Sequence, residues 1–380
     1  MSEARPLPTI SYGAFSRRVH EHAASVGSVI KAQFELTYRC NLHCRHCYTD
    51  PYNDKAYISR ELTLGDIRRL LADMKEIGIV WLNLTGGDIF MRPDFFEIYE
   101  TASDHGFLLQ LYTNGTLFTP AIVERLRARP PFSIDISCHS ADEDRFDWFT
   151  QVPGSYRAFL RGLDLLRTSG LPFTLKTKLM NWNAGETDRL KTFVESYGQP
   201  FGYTTSLSPR LNGDCSPLHY RIAPDTLRAV SHQPTEPREN DQCGASRSLP
   251  APADDRLFRC GCATDTIHIN AWGELSTCTF QYETRISLRH TTLRDAIERV
   301  FTHARQLTYQ SDSPCRTCTV HEFCDKQPTQ ARWETGHPEQ PIPYDCDVAV
   351  ARAQATHRHP VPHPLRHSAV SVTAIRGASS

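Results

Sequence analysis

The chain lacks both an excess of charge of one sign and a long hydrophobic run. Its 42 Lys and Arg residues face 43 Asp and Glu residues, for a net charge of −1, so no overall field favours nucleic acid or an anionic membrane. Residues 1–30 contain Arg, Glu and His without a continuous apolar stretch, which argues against a signal peptide or a spanning helix. We therefore expect a cytoplasmic protein with neither nucleic acid nor membrane as a partner.

Cysteine, in contrast, is abundant. Thirteen cysteines in a chain without an export signal argue against disulfides, because a reducing cytosol keeps thiols free for metal binding or catalysis. Cys40, Cys44 and Cys47 form the spacing CxxxCxxC directly after a strand-like stretch. Four thiolates normally complete an iron-sulfur cubane, so three predict a cluster with one iron open to another ligand. The alternative is a zinc knuckle completed by His43 or His46.

Strand and helix patterns alternate from Gln33 to about residue 207. Six strand–helix units in series predict an α/β fold, a partial (β/α)6 TIM-like barrel with a parallel sheet and right-handed crossovers. Active sites of such folds lie at the C-terminal ends of the strands. The cysteine loop, the turn 86–88, Asn114 and Ser137 each follow a predicted strand. We therefore expect them to meet at one mouth of the barrel.

The domain organisation follows from where the alternation of strands and helices stops. We predict an N-terminal extension over residues 1–30, the barrel over 31–225, a cysteine-dependent module over 226–350 and a disordered tail over 351–380. Within the module, the stretch 267–275 predicts a hairpin with Gly273 at its turn. The tail is rich in His, Pro, Arg and Ser and has few apolar residues, which favours a solvated segment over a metal site.

The CxxxCxxC motif resembles the signature of the radical S-adenosylmethionine (SAM) superfamily. The resemblance implies a [4Fe-4S] cluster whose open iron chelates SAM, and a reductive cleavage that yields a 5'-deoxyadenosyl radical. It also implies SAM contacts at His46, Gly86, Gly87, Asp88, Asn114 and Ser137. Two positions depart from the family pattern. Asp88 stands where the family has Glu, so the contact of this turn with SAM is either slightly relocated or made by the backbone. His139 replaces an acidic residue, and it either contacts substrate or is a half-buried structural histidine.

The downstream cysteines resemble a SPASM domain, an extension that holds auxiliary iron-sulfur clusters. Six of the seven cysteine positions of its motif are filled, and the seventh falls on Pro328. The resemblance implies a four-thiolate [4Fe-4S] cluster at Cys315, Cys318, Cys324 and Cys346. A second cluster at Cys260 and Cys278 would lack one family ligand, with Cys262 or Cys243 as replacement. It is then either a [2Fe-2S] form or a cubane with an open iron, and a zinc ribbon is the alternative for the first four.

These resemblances imply an oxidising enzyme of the radical SAM/SPASM class that modifies a ribosomally synthesised peptide, by crosslinking, epimerisation or a related reaction. The segment 207–218 resembles the Pro-Arg-x-x-Gly linker of peptide maturases. About thirty residues precede the first predicted strand, so a leader peptide is expected to dock directly or through a separate leader-binding protein. An external reductant of flavodoxin or ferredoxin type is implied as well. The alternatives are the tailoring of a small molecule or tetrapyrrole, and a non-enzymatic metal carrier.

Overall fold

The computed structural model describes residues 10–49, 53–230, 255–258, 264–281, 284–357 and 361–365. Six parallel strands follow one another in the sheet in their chain order. They are β1 (Lys31–Thr37), β2 (Trp81–Gly86), β3 (Leu108–Thr113), β4 (Ser133–Cys138), β5 (Phe173–Lys178) and β6 (Tyr203–Thr204). Each strand pairs in parallel with the next strand in the sequence, which confirms the predicted α/β fold with a parallel sheet.

Helices alternate with these strands along the chain. The twelve that the described residues form are α1 (Tyr12–Val26), α2 (Lys55–Ile58), α3 (Leu64–Ile77), α4 (Phe95–Asp104), α5 (Pro120–Ala128), α6 (Glu143–Thr150), α7 (Ser155–Ser169), α8 (Thr187–Ser196), α9 (Pro224–Val230), α10 (Leu293–Gln306), α11 (Pro328–Thr335) and α12 (Pro343–His357). Helix α3 shows why they form: Thr63 and Asp66 make a capping box, an apolar stripe is buried, and Gly78 ends the helix in the left-handed region. No helix in the described ranges is long and apolar enough to cross a bilayer.

The strands present two different faces. On β1, Ala32, Phe34 and Leu36 belong to the large apolar core that lies between sheet and helices. The alternate side chains Gln33 and Glu35 point the other way, into the barrel. The interior of the barrel is therefore polar, which suits a site for a polar ligand.

The predicted hairpin is confirmed, and its place in the sheet is new. Strands β7 (Thr266–Ile269) and β8 (Glu274–Ser276) are antiparallel, and a short β9 (Ile286–Ser287) pairs with β8. Gly273 has a φ of +80°, and an added Cβ would lie 2.6 Å from Leu62 Cδ2. Strand β7 pairs in parallel with β1, so the hairpin of the cysteine module extends the sheet of the barrel.

Three stretches differ from the expectation. Helix α1 occupies half of the predicted N-terminal extension and packs below the sheet, where Trp81 Nε1 donates to Tyr12 Oη at 2.7 Å. Helix α6 lies between β4 and α7, where the sequence predicts no helix, and begins at the capping residue Asp142. Helix α12 continues through His357, so the first residues of the predicted tail are helical. Residues 358–360 and 366–380 of that tail lie outside the described residues.

Candidate active site at the mouth of the barrel

The loop with the first three cysteines is held at its start and in its middle. Asn53 holds Cys40 through two hydrogen bonds: its Oδ1 accepts from the Cys40 backbone amide at 3.2 Å, and its Nδ2 donates to the Cys40 carbonyl at 2.9 Å. On the far side, the amides of His43 and Arg45 donate to the carbonyls at the end of α6, at 2.9 and 3.1 Å. Helix α6 therefore fixes the shape of this loop, although sequence patterns did not predict it.

The three thiols fit a metal cluster in their chemistry. All three are free and half-buried. Burial, followed by the charges of Asp88 and Cys47, raises the pKa of the Cys40 thiol to about 12, and burial with the neighbouring cysteines raises the pKa of Cys44 well above its usual range. Mutually repelling thiolates at this place need a cationic centre, as an iron-sulfur cluster provides. In the described ranges, no three His, Cys, Asp or Glu side chains converge on a single metal position.

The turn after β2 packs directly on this loop. The amides of Gly87 and Asp88 donate to the carbonyls of Thr37 and Arg39, both at 2.8 Å. A Cβ on Gly86 would lie 2.0 Å from the Thr37 carbonyl oxygen, and one on Gly87 would lie 2.3 Å from that of Arg39. Only glycine allows this close approach of two backbones. The turn thus holds the cysteine loop at a set distance from β2.

The carboxylate of Asp88 is fully buried and already engaged. It accepts hydrogen bonds from Thr113 Oγ1 at 2.7 Å, from the Asn114 amide at 2.9 Å and from the Phe90 amide at 3.0 Å. Burial raises the pKa of this carboxyl, and the three donors act against that rise. The carboxylate therefore braces the turns after β2 and β3. The two alternatives for this turn are a contact with SAM through a relocated carboxylate and one through its backbone. The engaged carboxylate favours the backbone contact.

Asn114 and Ser137 occupy the neighbouring strand ends. Asn114 Nδ2 lies 3.8 Å from Cys40 Sγ and donates to Asn41 Oδ1 at 2.8 Å. The structure thereby brings Asn114 to the cysteine loop as expected. Ser137 lies in β4 opposite Lys176 of β5, on the same side of the mouth. Their contacts with SAM stay predictions.

His46 sits in a box of rings beside the loop. Its ring lies 5.2 Å from that of His139 and 5.0 Å from that of Phe149, and Phe149 stacks on Trp182 at 4.5 Å. Burial lowers the pKa of His46 well below its usual range and that of His139 to about 3. Both imidazoles are therefore neutral, and His139 Nε2 lies 4.0 Å from Cys44 Sγ.

A buried polar network that sequence reasoning missed crosses from β1 to the hairpin. Glu35 is fully buried and accepts hydrogen bonds from the hydroxyls of Tyr38 at 2.6 Å and Tyr48 at 2.5 Å. His268 Nε2 of β7 lies 3.1 Å from the same carboxylate. Burial alone would raise the pKa of Glu35, but His268 and the two hydroxyls outweigh it and lower the pKa. The only sequence signal was a charged residue in an apolar strand, and the partner strand was not predictable.

In the module beyond the barrel, the four later cysteines lie near enough for their charges to interact. Cys346 on α12 is buried, and burial and the charges of Cys315 and Cys318 raise its pKa to about 12. Burial likewise raises the pKa of Cys324, and the charge of Cys346 raises it further. Four neighbouring thiols suit a thiolate-bound cluster, as the motif implies.

The ligands of the second predicted auxiliary cluster are only partly described. Cys278 is buried, and its Sγ lies 3.5 Å from Gln327 Oε1 and 3.3 Å from the Phe280 amide. Pro328 begins α11 directly after Gln327. Cys243, Cys260 and Cys262 lie outside the described residues.

A charged contact joins the cysteine module to the barrel mouth. Arg352 of α12 donates to Asp325 at 2.7 Å and to Thr205 at 2.8 Å, just after β6. Lys178, at the end of β5, donates to the Ser206 carbonyl at 2.7 Å. Burial lowers the pKa of Lys178 to about 8, against the opposite effects of Asp325 and Cys47. A lysine therefore stands between the two groups of cysteines.

These features define a class of protein. The three-cysteine loop lies at the C-terminal mouth of a parallel α/β barrel, and residues 34–193 match the radical SAM superfamily. The chain therefore carries a radical SAM domain. That family implies a [4Fe-4S] cluster that works with SAM.

More particular likenesses come from individual proteins. The chain is 24% identical over 364 residues to "Mycofactocin maturase MftC" of Mycobacterium ulcerans, which covers 92% of this chain and 96% of that protein. It is 33% identical over 199 residues to "AdoMet-dependent heme synthase" of Methanosarcina barkeri, over 52% of this chain and 56% of that one. The chain thus spans little more than half the length of this second relative. The fold resembles that of Streptococcus suis SuiB bound to precursor peptide SuiA, with a TM-score of 0.62, 13% identity and coverage of 92% and 84%.

Proposed function

We propose that this protein is a radical SAM enzyme that oxidatively modifies a ribosomally synthesised peptide. The observation that carries the proposal is the likeness to mycofactocin maturase, because it extends over nearly the full length of both chains. The fold shared with a radical SAM enzyme bound to a precursor peptide supports it. Crosslinking, epimerisation or a related oxidation of a side chain fits this class.

In this proposal Cys40, Cys44 and Cys47 hold the [4Fe-4S] cluster. When bound, the cluster supplies the electron that cleaves SAM to methionine and a 5'-deoxyadenosyl radical. The pinned loop and the glycine turn set the distance between the cluster and the end of β2. Gly86 and Gly87 offer backbone to SAM, and Asn114 and Ser137 line the neighbouring strand ends. His46 lies beside the predicted adenine position, with Phe149 completing the ring box.

The module beyond the barrel has its own part in the proposal. Cys315, Cys318, Cys324 and Cys346 would hold an auxiliary [4Fe-4S] cluster, which would supply an acceptor for the electron that the substrate loses. Cys278 with Cys260 and Cys262 holds a second, incomplete cluster, either [2Fe-2S] or a cubane with an open iron. A reductant of flavodoxin or ferredoxin type supplies the first cluster, and a leader-binding protein presents the peptide or the peptide docks directly.

A second candidate is the tailoring of a tetrapyrrole or another small molecule by the same chemistry. The 33% identity to a heme synthase over half of the chain favours it. The two candidates share the SAM-cleaving site and differ only in what enters the barrel. Substrate dependence of SAM cleavage therefore separates them.

The test is 5'-deoxyadenosine formation by anaerobically reconstituted protein with SAM and dithionite. Small precursor peptides encoded beside this gene and tetrapyrrole precursors are added in parallel. Stimulation and a mass change in a peptide support the first candidate, whereas stimulation by a tetrapyrrole alone supports the second. The Cys44→Ala variant is the control, and deoxyadenosine formation that survives this change would defeat the assignment of the site.

A further inference from the structure

His139 is held in one orientation at the end of β4. Its carbonyl accepts a hydrogen bond from Asn183 Nδ2 at 2.9 Å, so the backbone cannot swing. Its ring is 5% exposed and lies against Phe149 at 4.8 Å and Phe146 at 5.7 Å. A ring boxed in this way keeps its nitrogens at set positions.

One of those nitrogens faces a cysteine of the first cluster site. His139 Nε2 lies 4.0 Å from Cys44 Sγ, although 95 residues separate the two in the chain. Nδ1 is buried and has no hydrogen-bond partner in the described part of the chain. The contact with Cys44 is therefore the polar interaction that the structure provides for this ring.

The direction of that contact follows from electrostatics. A proton on Nε2 points at the sulfur and donates to it, whereas a proton on Nδ1 leaves the Nε2 lone pair facing the sulfur electrons. When Cys44 is a thiolate, the first arrangement is attractive and the second repulsive. A doubly protonated ring would also donate from Nε2. Cys44 as a cluster ligand thus selects a ring that donates to it.

We propose that His139 is a positioning residue whose Nε2–H donates to Cys44 Sγ and raises the reduction potential of the first cluster. The proposal rests on the cluster assignment of the proposed function but not on its substrate. Hydrogen bonds to cluster sulfurs stabilise the extra negative charge of the reduced state, so they make the cluster easier to reduce. The role differs from both expectations for His139, a substrate contact and a purely structural histidine.

The test is an EPR-monitored redox titration of the reconstituted holoenzyme, followed at the signal that changes when SAM is added. The variants are His139→Phe, which keeps a ring but removes the donor, and His139→Gln, which retains an N–H donor. Phe146→Leu is the matched control, because Phe146 packs against the His139 ring and offers no donor. Iron content is measured for each variant.

We expect His139→Phe to lower the reduced-to-oxidised ratio at a fixed potential about tenfold, which is about 59 mV for a one-electron couple. His139→Gln recovers much of that shift, and Phe146→Leu, which keeps the Nε2 donor, changes the ratio less than His139→Phe does. An unchanged potential in a fully loaded His139→Phe protein overturns the proposal. A wild-type protein without any SAM-sensitive cluster would instead defeat the proposed function.

A second measurement decides the matter if His139→Phe binds no iron. Wild-type protein and His139→Gln are labelled with ¹⁵N-histidine, and couplings to the SAM-sensitive EPR signal are recorded by electron–nuclear double resonance. A histidine coupling present in the wild type and lost in His139→Gln supports the proposal. Identical couplings in both proteins overturn it.

Discussion

Replacing Asp88 tests whether its carboxylate holds two turns together or binds SAM. In the structure its carboxylate receives three donors and is fully buried. Asp88→Ala leaves the Thr113 hydroxyl and the amides of Phe90 and Asn114 without their acceptor. An unsatisfied buried polar group costs about 1–3 kcal/mol, and the Thr113 hydroxyl can re-aim. Two stranded amides therefore predict a loss of roughly 2–6 kcal/mol in the free energy of unfolding.

Two further replacements at this position refine the prediction. The Asp88→Asn amide oxygen can accept from two donors, but its NH₂ group then faces the third, so we expect a loss of about 1–3 kcal/mol. Asp88→Glu introduces the family's usual residue, yet the extra methylene must fit a site with no exposed surface. Overpacking of this kind costs about 1–3 kcal/mol. The order of stability is thus Asp, then Asn and Glu, then Ala.

The assay is urea denaturation of the metal-free protein, with SAM affinity of the reconstituted protein measured separately. The brace predicts lower midpoints in the metal-free protein, where no SAM is involved. Thr113→Val is the control, because it removes one donor and leaves the carboxylate its two backbone donors. Asp88→Ala with an unchanged midpoint but abolished SAM binding would refute the brace and restore the direct carboxylate contact.

Three other predictions concern the loop, the buried network and the cysteine module. Gly87→Ala should yield folded protein with markedly less iron after reconstitution. The added Cβ would lie 2.3 Å from the Arg39 carbonyl oxygen and would push the cysteine loop away, so normal iron content would contradict this prediction. Glu35→Gln should lower the free energy of unfolding by about 1–3 kcal/mol at neutral pH. Because the pKa of Glu35 is lowered in the folded protein, the difference between the two proteins should shrink only when the pH falls below the pKa of a free carboxyl and on through the folded pKa. Denaturation curves at a series of pH values measure this. Cys324→Ala should remove about one cluster's worth of iron and sulfide, whereas the exposed Cys215→Ser should remove none, and equal iron in both variants would argue against an auxiliary cluster there.

The barrel could be predicted from the sequence because its signals are local. The capping box at Thr63, the apolar stripe of α3 and Gly78 specify one helix without help from the rest of the chain. The turn at Gly273 is equally local. Such signals fail for short elements such as α6, whose eight residues span little more than two helical turns. They also fail for α1, where only three residues are buried.

Motif spacing likewise identified the cysteine loop and the strand ends that surround it, since parallel strands in series bring their carboxyl ends to one mouth. What the side chains do there was decided by the tertiary structure. The Asp88 carboxylate points into the protein, His139 reaches Cys44 across 95 residues, and Glu35 pairs with His268 on a strand whose place beside β1 no pattern reveals. Periodicity and spacing encode which residues lie on one element or one edge. Contacts between distant segments depend on packing of the whole sheet, and only the folded chain determines them.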